Sequence, residues 1–319
     1  KELGKSVVFA KLVSNAAAKA AETGSNTGIL VVRIIDANGL PVVGATVTVT
    51  NPDTGVSVVG ITNASGYLVV AGLPPNTQNG YHLVATKDGF STDYTTARTA
   101  QNPNQVQPDV DILAQQVTTQ TLAIDRLATL TVAVRNELGA LVFGNTVTAT
   151  SSKITQFNPD LAKNIYSQPV DASGNAIFTN IEWDSYSLVA FPQSGSSYLV
   201  TTIPYQKVTV PPNSATNATM IITTDPSWPR IESVDPIAAT VGQTINIQIE
   251  GSNFPVGITT VKLSRTGYAD VLPTLIDITA NEKTITATFN FTGVATGIWD
   301  LIVDVGGKII NQIGGFTVS

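Results

Sequence analysis

From residue 29 onward the apolar side chains of this chain recur at every second position, and that period leaves few folds open to it. In "GATVTVT" (44–50), Ala45, Val47 and Val49 fall on one side of an extended backbone and Thr46, Thr48 and Thr50 on the other. Near the other end, Ile245, Ile247 and Ile249 alternate with Asn246, Gln248 and Glu250, and Trp299, Leu301, Val303 and Val305 lie opposite Asp300 and Asp304. Strands with one apolar and one polar face belong in antiparallel sheets that bury one side only. Turn signals break the strands at short intervals. Asp36, Asn38 and Gly39 tolerate positive φ and Pro41 stiffens the exit, while "TNASGY" (62–67) and "AGLPPNTQNGY" (71–81) act in the same way. Short strands, frequent turns and no second helical pattern predict β-sandwiches.

The pattern also repeats. "LATLTVAVRNELGALVFGNTVTAT" (127–150) follows the strand, turn, strand order of residues 29–50, and "DASGNAIFTNIEWDSYSLVA" (171–190) follows "NASGYLVVAGLPPNTQNGYHLVA" (63–85). Pairing Gly39 with Gly139, Gly66 with Gly174 and Leu83 with Leu188 gives offsets of 100, 108 and 105 residues, so a tandem copy with small loop insertions is expected. "TDPSWPR" (224–230) is a Pro-flanked joint to a third unit, with Trp228 expected at the junction. The expected domains are therefore residues 29–124, 125–226 and 227–319.

Residues 1–28 are different. Phe9, Leu12, Val13, Ala16, Ala17 and Ala20 gather on one stripe of a helix, with Lys11, Ser14, Asn15, Lys19 and Glu22 opposite, and "GSNTG" (24–28) forms a joint. This short amphipathic helix either rests on the first domain or needs a partner chain. In the second case the stripe buries itself against neighbouring subunits, at roughly 25 cal/mol per Å² before association entropy is subtracted.

Composition narrows the function. Of 319 residues 43% are apolar but only 13% charged, so the surface is built mainly of Thr, Ser, Asn and Gln, as in extracellular β-proteins. A net charge of −6 without a basic cluster disfavours nucleic acid. The absence of cysteine excludes disulfides, thiolate metal sites and cysteine nucleophiles. No stretch approaches the roughly 18 uninterrupted apolar residues of a membrane span, and residues 1–28 lack the order of a signal peptide, so the chain is expected to be soluble as it stands or to have lost a targeting segment.

No catalytic, metal or cofactor-binding residues are expected. His82 is the only histidine and has no carboxylate pair close to it in sequence, which favours a structural role. "DVD" (109–111) and "EWD" (182–184) each place two carboxylates on one side of a strand, read here as solvated strand edges. Asp36 with Asn38, and Asp171 with Ser173, lack the carboxylate density of a calcium loop. Trp299 is in phase with a core face, and Trp183 is expected to pack at the end of its strand.

Through "VVRIIDANGLPVVGATVTV", "TNASGYLVVAGLPP" and "YHLVATKDGF", the first domain resembles the carboxypeptidase-regulatory-like or CnaB-like sandwiches, with the second a divergent copy. "PRIESVDPIAATVGQTINIQIEGSNF" resembles the start of an IPT/TIG immunoglobulin-like domain. "KDGFSTDYTT", "NPNQVQPDVDILAQQVT" and "AIDRLATLTV" are similar to prepilin-type, type IV pilin-like bacterial surface proteins, in which residues 1–23 would be the distal part of a longer helix. These resemblances imply an all-β chain of three tandem antiparallel Ig-like sandwiches behind a short helix. They imply a non-enzymatic, extracellular cell-surface subunit without cofactors, whose partners are copies of itself or other pilin-like subunits met through the helix stripe, and which meets a membrane only through a missing N-terminal segment. A glycan or protein adhesion target is open. The alternative is a carbohydrate-binding or accessory module of a secreted enzyme or receptor. The isopeptide crosslink known in such domains needs a Lys, an Asn or Asp and an acidic helper in one core; with Arg33 and Arg135 but no lysine in the first strands, and no Glu in residues 29–124, none is expected.

Overall fold

The computed structural model describes residues 26–192, 195, 197–203, 205 and 207–319, and among these every regular element is a strand. The expected helix stripe, Phe9 to Ala20, lies outside the described residues. The first strands are β1 (Gly28–Ile35), β2 (Thr46–Asn51), β3 (Val56–Ile61), β4 (Tyr67–Leu73), β5 (Asn76–Thr86), β6 (Asp93–Tyr94), β7 (Val110–Ile112) and β8 (Val117–Ala123). They form a β4-β1-β8 sheet facing a β3-β2-β5-β6 sheet, with β7 added to β5. Leu30, Val32 and Ile34 of β1 meet Val47 and Val49 of β2 and Leu83 of β5 in one core, as the period-two pattern requires.

The next strands repeat the plan: β9 (Ala128–Asn136), β10 (Thr146–Ser151), β11 (Ile154–Gln156), β12 (Leu161–Ala162), β13 (Ile165–Pro169), β14 (Asn175–Ile181), β15 (Asp184–Phe191), β16 (Tyr198–Ile203), β17 (Val208–Val210) and β18 (Ala215–Thr223). The sheets are β14-β9-β18-β16 and β13-β10-β15-β17, with β11 and β12 a separate pair. As in β1 and its neighbours, β9 pairs antiparallel with β14 and parallel with β18. The turns repeat down to single hydrogen bonds. Asp36 Oδ1 accepts from the amides of Asn38 and Leu40 at 2.9 and 2.8 Å, and Asn136 Oδ1 accepts from those of Leu138 and Ala140 at 3.0 and 2.8 Å. Asn63 and Asp171 close the second turn in the same way, through Ser65 and Tyr67 and through Ser173 and Asn175. One carboxylate oxygen of Asp36 and one of Asp171 are thus engaged as turn caps.

A third group, β19 (Arg230–Asp235), β20 (Ala238–Ala239), β21 (Thr244–Ser252), β22 (Thr259–Ser264), β23 (Leu275–Ile278), β24 (Thr284–Asn290), β25 (Gly297–Val305) and β26 (Lys308–Val318), builds the sheets β19-β21-β24-β23 and β20-β26-β25-β22. Trp299 is buried in their shared core and donates its indole N–H to the Ala295 carbonyl at 3.1 Å.

Candidate functional site

Two places on the described chain gather more chemistry than a core or a turn requires. The first is where the first two sheet pairs meet. The Lys163 ammonium, in the loop between β12 and β13, stands 3.0 Å from Asp93 Oδ1 of β6 and 3.1 Å from Glu182 Oε1, all three side chains being less than a tenth exposed. Lys153 reaches the same Glu182 oxygen at 2.7 Å, and Asn164 donates to its Oε2 at 2.8 Å. Asp93 Oδ2 also accepts the backbone N–H of Ala123 at 2.8 Å. Burial works against the Lys163 charge, but the two carboxylates outweigh it and hold its pKa above the ordinary lysine value. Burial prevails at Lys153 and lowers its pKa despite Glu182. The Lys153 ammonium lies 3.1 Å from the centroid of the Trp183 ring.

The solvated strand edge expected at "EWD" is therefore corrected. Glu182 is buried because two lysines and an amide neutralise and hydrogen-bond it, and Asp184 caps the Lys153 amide at 2.9 Å. An amine, a carboxylate and a second acid also come together here, between two sheet pairs instead of inside one core. Sequence reading missed it because Asp93, Lys163 and Glu182 are far apart in sequence and carry no local motif.

The same junction is tied by backbone. Val106 N–H donates to Thr155 O at 3.1 Å and Phe157 N–H to Asn104 O at 2.9 Å, a short strip joining the loop after β6 to β11. The connecting residue Asp125 is buried and accepts the Ala37 N–H at 3.0 Å, and its own carbonyl accepts from Ser91 N–H at 2.7 Å. The joint beyond β18 is also closed. Val200 of β16 belongs to the core of the third sheet group, Trp228 packs against that core, the Arg230 guanidinium lies 4.3 Å from the Tyr198 ring centroid, and Asn253 Nδ2 donates to the carbonyls of Pro226 and Trp228.

The second place is an open groove of about 750 Å³ on the first sheet pair, lined among others by Pro52, Asp53, His82, Tyr94, Arg98 and Asp109. Asp109 Oδ1 accepts the Thr95 hydroxyl at 2.6 Å and lies 3.0 Å from His82 Nδ1. A carboxylate only accepts, so His82 donates from Nδ1. Gly80 permits this approach: its φ is +65°, and a Cβ there would sit 2.8 Å from the Asp109 backbone. His82 thus has the carboxylate that its sequence neighbourhood lacked, and Asp109 is sheltered while Asp111 is exposed, so the "DVD" edge is only half solvated. β7 pairs with β5 across Tyr81 and Val110, which brings residues 82 and 109 together. Among the described residues no group of three or more His, Cys, Asp or Glu side chains is placed to hold a metal ion.

Residues 29–124 match the carboxypeptidase regulatory-like domain family. No curated protein matches the chain. Among solved structures it is similar to the Bacillus anthracis TIE protein (10% identity, TM-score 0.26, covering 91% of this chain and 48% of that one). It is similar also to the Streptococcal ancillary pilin (10% identity, TM-score 0.29, 63% and 64% covered) and to the shaft pilin SpaA of Lactobacillus rhamnosus GG (11% identity, TM-score 0.22, 62% and 98% covered). The chain spans about half the length of the Bacillus anthracis protein. At these TM-scores the functional reading rests on the residues themselves.

Proposed function

We propose that this chain is a non-enzymatic, extracellular structural protein: a subunit of a pilin-like or other bacterial surface appendage, with copies of itself or other pilin-like subunits as partners. Residues 29–124, 125–226 and 227–319 act as three sandwich domains in series, the last of IPT/TIG type, and carry the distal end away from the cell. The observation behind this reading is the way the joints are made. A tether made only to keep domains on one chain needs no buried ions, yet Lys163, Asp93 and Glu182 are enclosed at the first joint, and Val200 enters the next core at the second. Fixed joints transmit load and hold a defined reach, which suits a projecting stalk. The low charge and absence of cysteine agree with that setting. Immunogold labelling of source cells with antibody to residues 227–319 tests it. Label standing clear of the envelope is expected, and label confined to the cell interior overturns the proposal.

A second reading, a carbohydrate-binding accessory module, is favoured by the groove beside His82, whose polar groups and Tyr94 ring suit a sugar face. Glycan-array binding that Tyr94→Ala abolishes would support it; an array without binders would remove it.

A further inference from the structure

The arginines of this chain are engaged unevenly, and the exception lines the groove beside His82. Of the six, Arg33, Arg126 and Arg230 lie over aromatic rings, Arg135 donates to the carbonyls of Val134 and Gly174, and Arg265 donates to Thr296 O and lies over the Tyr268 ring. Arg98 is exposed on the groove wall, and its side chain has no ion pair, hydrogen bond or ring contact among the described residues. The loop that carries it is braced. Thr96 N–H donates to Gln107 O at 2.8 Å and Asp109 N–H to Thr96 O at 3.0 Å, and Thr99 and Asn102 close the tip with two backbone bonds of 3.1 and 3.2 Å. The acids of the same wall are already engaged. Asp53 Oδ2 accepts from Asn79 Nδ2 at 2.6 Å and from Asn76 Nδ2 at 3.3 Å, and Asp109, only 7% exposed, is held by His82 and Thr95. The sandwich plan does not require this arrangement: Thr50 pairs with His82 in the first copy, and Thr150 pairs with Ser187 in the second.

We infer that this groove binds an acidic polysaccharide, with the Arg98 guanidinium pairing the carboxylate of a uronic acid unit. The inference rests on the carbohydrate-binding reading above and names its ligand class. A guanidinium presents parallel N–H donors in a plane, which match the two oxygens of a carboxylate. A phosphate offers similar oxygens, but its second negative charge would stand beside Asp53 and Asp109, whereas a carboxylate brings one delocalised charge. The rest of the wall favours a sugar over an acidic peptide. The Tyr94 ring suits the apolar face of a pyranose, and Thr50 and Thr99 supply hydroxyls that can exchange hydrogen bonds with those of the sugar.

Isothermal titration calorimetry of the full chain with oligogalacturonate and with its methyl ester tests this, because the ester keeps the sugar and removes the charge. The acid should bind at least fivefold more tightly than the ester. Arg98→Gln, a change at an exposed side chain, should abolish that difference, while Arg126→Gln, which removes an exposed arginine outside the groove, should preserve it. Equal affinity for acid and ester overturns the inference and leaves the carbohydrate-binding reading standing. Binding of neither overturns the inference, and a glycan array without binders then removes that reading as well. Oligoglutamate bound as tightly as oligogalacturonate, or an equal loss in Arg126→Gln, also overturns it, because the attraction would then be to charge alone.

Discussion

The first two sheet pairs are built on one plan and differ in what their outsides do. Both place a central strand between an antiparallel and a parallel neighbour, and both cap the following turns with an Asp or Asn that accepts from the amides two and four residues on. Their surfaces have diverged. The first has an apolar outer face on β1 and a groove beside β5; the second has threonines on β9 and a lysine, Lys163, that reaches Asp93 of the first pair. A core tolerates little change because each inward position packs against both sheets. An outward position answers only to what covers it, so differences between copies mark the contacts each copy makes.

The largest expected departure between the copies lies at their meeting point. Lys163→Met takes the paired cation from buried Asp93, while Glu182 keeps Lys153, and should destabilise the joined pairs by about 3 to 5 kcal/mol, the usual penalty for leaving a buried charge uncompensated. Urea denaturation measures this, and a loss below about 1 kcal/mol would mean that the cluster is solvated. The same lysine sets a pH dependence. Its folded pKa lies above the unfolded value of 10.5, so its stabilising contribution is complete below that pH and falls as pH rises through the higher folded value. Wild-type stability should therefore fall in alkali beyond about pH 10.5 more steeply than that of Lys163→Met.

The inward faces should behave alike. Leu30 and Leu130 are both fully buried at corresponding places on the central strands, so Leu30→Ala and Leu130→Ala should each cost about 2 to 5 kcal/mol by thermal or urea melting. A difference larger than that range would show that one of the two cores relaxes around the cavity and that the copies are equivalent in topology alone.

Much of this architecture is legible in the sequence because strands and turns are encoded locally. Alternation assigns the faces of β2, β10 and β21, and Gly39, Gly66, Gly139 and Gly174 mark turns whose positive φ the backbone confirms. Trp299 was legible for the same reason, since its phase with Leu301 and Val303 is a property of one strand. The sites were not. Asp93 gains its lysine from 70 residues away and His82 its carboxylate from 27, and only the pairing of strands decides which side chains meet. "EWD" illustrates the error: two acids at a strand edge read as solvated, yet Glu182 is enclosed by Lys153, just before β11, and Lys163, just after β12, and the β11–β12 pair has no close counterpart in the first copy.

The smallest expected effect tests whether the copies remain interchangeable where they match. Asp36 and Asn136 do the same work with different chemistry, each through one side-chain oxygen accepting two backbone N–H groups in a partly exposed turn. Replacing either by Ala removes those bonds and should cost about 1 kcal/mol, near the net value of one protein hydrogen bond, because water solvates the freed amides. Exchanging them, Asp36→Asn and Asn136→Asp, keeps the accepting oxygen and should change stability by less than about 0.5 kcal/mol. Calorimetric melting of the four variants measures both effects. If Asp36→Asn instead costs as much as Asp36→Ala, the charge at position 36 has a role that the second copy lacks, and the two turns are alike in shape but not in energetics.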